Sequence, residues 1–270
     1  MIKSITVDAG MCMHCGMCIQ DCIVQCLEFD ADRIPRYVEG GKDMCLGCQH
    51  CMAICPKGAL SFGGRNPYKS DLVSYGNSED LLLLIKSRRS FRFFKEQDVP
   101  PEKLSKIVDM LAYPPKGGNA DSLHFSIVAT AEKMRAIEKF TYETINAIEN
   151  PSPVVELCRN CYSNGVDFLY RGATALVAVS VNKKKAIAGC ENADPIIALS
   201  YLDLYAQSLG LGTLWTDATL TVMKELPEVR ALLEIPDECE LNYVMLLGVP
   251  AIQYRRTVQR EPAHVTIINA

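Results

Sequence analysis

Eight cysteines in two matched runs constrain this chain more than any other feature. Cys12, Cys15, Cys18 and Cys22 form the first run; Cys45, Cys48, Cys51 and Cys55 form the second, 33 residues later. Each reads C-x2-C-x2-C-x3-C, and Pro56 follows the second. Paired C-x2-C motifs hold structural zinc with four ligands per ion. Three evenly spaced thiols plus a fourth overfill such a site. A disulfide framework needs an oxidising compartment, and Met1 to Gly10 reads as a short strand rather than a secretory leader. Thiolate ligation of iron–sulfur clusters is the chemistry that uses every member of both runs.

The runs resemble those of bacterial ferredoxins, in which the fourth cysteine crosses to the other cluster. The resemblance implies one [4Fe-4S] cluster on Cys12, Cys15, Cys18 and Cys55. The second would be held by Cys45, Cys48, Cys51 and Cys22. Ile23 stands where that pattern has proline, and Cys26 follows one helical turn later as a rival fourth ligand. His14 and His50, inside the cluster loops, are expected to tune solvation or hydrogen bonding instead of ligating iron. A short apolar stretch follows each run, Leu27 to Phe29 and Ala59 to Phe62. The segment is thus an internal repeat, small enough to need its clusters as a core.

A chain of 270 residues accommodates two domains. Its net charge of −4 offers no basic field for nucleic acid or anionic lipid. No apolar run approaches the roughly 20 residues that span a bilayer. The expectation is a cytoplasmic protein acting on neither nucleic acid nor membrane. Gly63, Gly64, Asn66, Pro67, Gly76 and Asn77 mark a connector. The expected bounds are a cluster domain at 1–62, the connector at 63–77 and a second domain at 78–270.

The second domain mixes helical and strand patterns. Ser78 before Glu79 and Asp80 reads as an N-cap, opening a helix through about Ser87. Pro101 at a first helical position opens another, with Leu104, Ile107, Val108 and Leu111 on one face. Strands are expected at 123–129, 175–181 and 241–249, with long helices near 131–149 and 195–209. No G-x-G-x-x-G follows a strand and there is no Walker loop, which argues against a dedicated nicotinamide-binding unit.

Arg88-Arg89-Ser90-Phe91-Arg92 gathers three guanidiniums and a hydroxyl in five residues. Such a cluster can clamp a phosphate through charge-assisted bonds, or simply offset a helix C-terminus. It opens a series of motifs that resembles the flavin-dependent nitroreductases in chain order. Pro115-Lys116-Gly117-Gly118-Asn119 with Leu123-His124-Phe125 is similar to one family segment. Gly172-Ala173 before the strand at 175–181, Gly210-Leu211-Gly212-Thr213-Leu214-Trp215, Gly248-Val249-Pro250 and Arg260-Glu261-Pro262 are similar to others. Asp121, Ser122 and Leu123 replace the usual Q-P-W, Thr174 replaces a proline, and Thr216-Asp217 stands where the family often has an apolar residue and glycine. These departures bear on substrate preference.

The resemblance implies an α+β chain: a small ferredoxin-like domain, then a nitroreductase-like mixed sheet flanked by helices. It implies FMN held by Arg88, Arg89, Ser90, Arg92, Pro115, Lys116, Gly117, Asn119, Thr216, Arg256 and Arg260, with chemistry at flavin N5 and no catalytic side chain. It also implies a homodimer in which Asn119 reaches the partner's flavin. The expected activity passes electrons from two [4Fe-4S] clusters to FMN, and then to an electrophilic small molecule such as a nitroaromatic, quinone or activated alkene. A ferredoxin or flavodoxin is the expected donor. Direct reduction by NAD(P)H, with the clusters as exit or store, is an alternative; a non-catalytic flavoprotein docking a redox partner is another. Gly210 and Gly212 read equally as helix terminators and flavin contacts, Trp215 and His124 as packed residues. Cys158, Cys161, Cys190 and Cys239 could make a third metal site, although scattered buried thiols are the commoner pattern.

Overall fold

A computed structural model describes residues 3–268, and the chain divides into two compact units. The first comprises the N-terminal residues through Tyr75 together with Gly118–Ala120; the second is the remainder. The short 118–120 segment departs from the boundary expected of the sequence.

The first unit is built on the repeat. Its elements are β1 (Ile5–Val7), α1 (Met17–Gln20), β2 (Leu27–Phe29), β3 (Pro35–Tyr37), α2 (Gly41–Met44), α3 (His50–Ala53) and β4 (Leu60–Phe62). Strand β1 pairs with β4 and β2 with β3, both antiparallel. Strand β3 has no apolar run of its own and was not foreseen. The repeat also shows in the backbone, at three pairs of left-handed residues: His14 and Gly47, Gly16 and Gln49, Gln25 and Gly58, with φ between 51° and 74°. One member of each pair is not glycine. The turns around each cysteine run therefore impose that conformation on whatever residue stands there.

The second unit is a sheet covered by helices on both faces. Its elements are α4 (Ser78–Ser87), α5 (Pro101–Met110), β5 (Leu123–Val128), α6 (Ala131–Ala147), α7 (Pro153–Ser163), β6 (Ala175–Val181), α8 (Ala193–Ser208), β7 (Gly212–Trp215), α9 (Asp217–Glu225), α10 (Pro227–Ala231) and β8 (Glu240–Gly248). Strand order is β5-β6-β8-β7 with antiparallel ladders throughout. The parallel component is one bridge, Ser90 to Thr213.

Strand β6 is buried along its whole length, so its apolar run is continuous rather than alternating. Leu176 and Ala178 face one core with Val244 and Leu246 of β8 and residues of α6, α7, α9 and α10. Ala175, Val177 and Val179 face the other with Met245, Leu247 and residues of α5 and α8. Two details differ from the sequence reading. The N-cap of α4 is Asn77, whose side chain accepts from the N–H groups of Glu79 and Asp80, leaving Ser78 as the first helical residue. Val108 is half exposed, and Ile107 is the buried residue of α5.

Candidate functional site

The first unit contains two small apolar cavities, of about 20 and 30 Å³. Cys12, Cys15, Cys18 and Cys55 line one. Cys22, Cys26, Cys45, Cys48 and Cys51 line the other. Backbone N–H groups already point at sulfur: Gly47 donates to Cys45 Sγ at 3.4 Å and Ala59 to Cys55 Sγ at 3.2 Å. The Tyr37 hydroxyl adds a third donor, 3.5 Å from Cys45 Sγ. Among the described residues no three His, Cys, Asp or Glu side chains close on a point as one ion requires. Thiols spread around a volume suit a cluster, whose several irons each take one of them.

Cys26 is buried, with its Sγ 3.4 Å from that of Cys22. Burial first, and then the neighbouring Cys22 thiol, push Cys26 up to about 12. His14 Nδ1 lies 3.0 Å from the Arg33 carbonyl and His50 Nδ1 3.5 Å from Asp21 Oδ2, so both rings engage neighbours within the unit.

In the second unit, Arg88 to Lys95 runs along the edge of the sheet. Phe91 N–H donates to the Thr213 carbonyl of β7, and Lys95 N–H to that of Val249. Two residues of α8 hold this segment. Gln207 accepts from Arg89 N–H and returns a hydrogen bond to the Arg89 carbonyl, both at 2.9 Å. Asp203, one turn earlier, takes hydrogen bonds from Gln207, Thr213 and the Trp215 indole. It also sits 3.6 Å from the Arg88 guanidinium. Nη2 of Arg89 is buried with no acceptor among the described residues, although its Nη1 meets the Arg88 carbonyl. Arg92 is exposed, with one contact to the Ser90 carbonyl.

The second candidate segment is anchored elsewhere on α8. Gly117 N–H lies 3.1 Å from both oxygens of Asp194, a residue 3% exposed. A side chain on Gly117 would meet Cys190 Sγ at 2.5 Å, so glycine is required by space. At about 100° and 1.5 Å per residue, Asp194 and Asp203 lie roughly 180° apart around α8 and about 13 Å apart along it. The helix therefore holds the Arg88–Arg92 and Pro115–Gly117 segments apart. Asn119, in a left-handed conformation, groups with the first unit.

Thr216 is the N-cap of α9; its hydroxyl accepts from Thr219 N–H and meets the Thr219 hydroxyl. Arg256 and Arg260 lie on an exposed tail without regular structure. Gly210, with φ 74°, follows the C-cap Leu209 of α8 as a terminator, whereas Gly212 opens β7, where a Cβ would stand 2.8 Å from Phe91 Cγ. Trp215 is half-buried against Tyr243. Cys158 lies in the first core, while Cys239 is buried beside Ser180. Sequence reasoning missed Asp194, Asp203 and Gln207. Their signal is a set of acidic and amide residues on a largely apolar helix, where a polar side chain needs a specific partner.

Residues 85–249 match the Nitroreductase family. The chain belongs to that family. Residues 11–59 of this nitroreductase match the 4Fe-4S dicluster domain, which the thiol-lined cavities fit. A protein of Methanothermobacter thermautotrophicus, named provisionally as an NADH dehydrogenase/NAD(P)H nitroreductase, is 27% identical over 172 residues, or 64% of this chain and 78% of that one. The formate dehydrogenase iron-sulfur subunit of Wolinella succinogenes is 35% identical over 77 residues, 26% of this chain and 37% of that subunit. A Bacteroides fragilis nitroreductase crystallised with bound FMN aligns with a TM-score of 0.56 at 24% identity, covering 69% of this chain and 98% of its own. That likeness establishes the fold. Among the described residues, no helix of this nitroreductase is long and apolar enough to cross a membrane.

Proposed function

We propose that this nitroreductase takes in electrons at two [4Fe-4S] clusters and delivers them through FMN to an electrophilic small molecule. The observation that carries the reading is the pair of thiol-lined cavities, one with four cysteines and one with five, on the same chain as a nitroreductase fold. When bound, the clusters supply one-electron transfer and FMN supplies transfer of an electron pair as hydride.

The residues fit these groups. Cys12, Cys15, Cys18 and Cys55 would hold one cluster; Cys45, Cys48, Cys51 and Cys22 would hold the other. The unsatisfied Nη2 of Arg89 suits an anionic oxygen, so Arg88, Arg89, Arg92 and Arg260 would bind the phosphate-bearing end of FMN. Ser90, Pro115, Lys116, Gly117, Asn119, Thr216 and Arg256 would complete the flavin contacts, Thr216 through its backbone because its hydroxyl caps α9. Asp203 and Gln207 would orient the arginine segment that holds the flavin's anionic end. Functionally, residues 1–62 form the electron-entry module, 63–77 the connector and 78–270 the flavin module.

A homodimer is part of the reading. Leu81, Leu82, Leu83 and Ile85 of α4 are each about half exposed, and α4 buries no residue within the chain. The separation of the two candidate segments on α8 further supports a flavin site completed by a second copy. All thirteen cysteines are unbonded, which supports a reducing, cytoplasmic location.

Turnover with reduced ferredoxin, measured anaerobically on wild type and Cys48→Ala, tests the electron path. Loss of ferredoxin-driven reduction in the variant is expected. Unchanged ferredoxin-driven turnover would sink the reading. The name of the Methanothermobacter relative favours a second donor, NAD(P)H; turnover of the variant with NAD(P)H as sole donor would show that route.

A further inference from the structure

The repeat in the first unit singles out Cys26. At the 33-residue spacing, Ile23, Val24, Gln25 and Cys26 correspond to Pro56, Lys57, Gly58 and Ala59. The two turns have the same shape. Gln25 N–H donates to the Cys22 carbonyl at 2.8 Å and Gly58 N–H to the Cys55 carbonyl at 3.1 Å. Gln25 and Gly58 are both left-handed, at φ 51° and 60°. The missing proline after Cys22 thus leaves the backbone path unchanged.

What differs is the next side chain. Ala59 ends at its Cβ. Cys26 places Sγ 3.4 Å from Cys22 Sγ, well beyond the roughly 2.05 Å of a disulfide. It is 2% exposed and lines the same cavity as Cys22, Cys45, Cys48 and Cys51. Two thiols therefore stand where the other half of the repeat has one.

We infer that Cys22 and Cys26 are interchangeable fourth ligands of the second cluster. Either thiolate completes the set of Cys45, Cys48 and Cys51, while the other remains a thiol. In the exchange one iron–sulfur bond breaks and one forms. The incoming thiol gives up its proton, the outgoing thiolate takes one up, and no electron moves. The first cluster has no such reserve, because Ala59 occupies the corresponding place beside Cys55. The inference rests on reading the two cavities as cluster sites.

The test is iron and acid-labile sulfide content, with the electron paramagnetic resonance spectrum of the reduced state, on the full chain reconstituted anaerobically. Wild type checks the underlying reading, at about eight irons per chain in two cubanes; a wild type without iron would overturn that reading rather than the exchange alone. Cys22→Ser and Cys22→Ala are expected to keep the wild-type iron content, the alanine variant excluding ligation by a serine oxygen. Cys22→Ala with Cys26→Ala is expected to lose iron, as is Cys55→Ala. If Cys22→Ala alone loses as much iron as the double variant, the exchange is overturned. Cys26→Ala recreates the Ala59 arrangement and is expected to keep its iron while the second cluster's signal narrows to one form. Should the Cys22 variants fail to fold, that signal decides: a spectrum identical to wild type overturns the inference. Loss of iron in Cys26→Ala overturns it too, making Cys26 the sole fourth ligand.

Discussion

The carboxylate of Asp203 lies 3.6 Å from the guanidinium of Arg88 and is 5% exposed, against 33% for its partner. The same carboxylate accepts hydrogen bonds from Gln207, Thr213 and Trp215. One buried side chain on α8 thus ties the arginine segment to the start of β7.

Removing that carboxylate leaves one partly buried cation and several donors unpaired. Asp203→Ala should destabilise the second unit by about 3 kcal/mol, the low end for a broken buried pair because Arg88 keeps some contact with water. Asp203→Asn, which keeps an acceptor, should cost less. The chain has one tryptophan, Trp215, bonded to Asp203, so denaturant unfolding followed by its fluorescence reads the effect directly. Equal unfolding midpoints for wild type and the alanine variant would contradict the network's role.

Gly212 is needed for space. A Cβ there would lie 2.8 Å from Phe91 Cγ and 2.9 Å from Phe91 Cβ. Overpacking of this kind costs about 1–3 kcal/mol. Gly212→Ala should lower the melting temperature and, by displacing Phe91, loosen FMN retention. Pairing it with Phe91→Ala should recover part of the loss; failure to do so would locate the strain elsewhere.

The two units should lose their cofactors independently. Arg89→Ala removes a donor group whose charge-assisted bond is worth about 1.5–3 kcal/mol, so the FMN dissociation constant should rise about tenfold or more with iron content unchanged. Cys48→Ala should lose iron and keep flavin. Flavin titration and iron analysis of both variants check this, and cross-loss in either would break the two-module division.

Glu138 gives stability a pH dependence. Burial first, then the Asp167 carboxylate, push its carboxyl from an ordinary value of 4.5 up to about 7, with Arg135 partly offsetting them. In the interval between these values the folded state holds a proton that the unfolded chain has released. The contribution of this group is therefore fully present below about 4.5 and is lost as pH rises through about 7. Glu138→Gln should flatten that interval, raising the melting temperature more at about pH 8 than at about pH 5. Equal shifts at both would assign the slope to other groups.

Much of the architecture was legible because its signals are local. Strand β6 was readable at its full extent, since a strand buried on both faces is a continuous apolar run. Helices α4, α6 and α8 followed from caps and periodicity to within a few residues, although Asn77 and not Ser78 caps α4. Strands β3 and β7 were missed: each is short, and each is a strand only because a partner pairs with it. The split reading of the glycines also needed the fold, where Gly210 ends a helix and Gly212 makes room for a ring.

The sequence alone determined the cysteine ladder and its 33-residue repeat, because cluster ligation is governed by spacing along the chain. It also singled out the arginine cluster, whose charge density is visible without a fold. Only the tertiary structure decided what holds that cluster in place: the Gln207–Arg89 contact spans 118 residues, and no local pattern records a partner so distant. It likewise decided that Cys26 lies against Cys22. That proximity depends on a left-handed turn at Gln25, a residue whose own chemistry does not call for one.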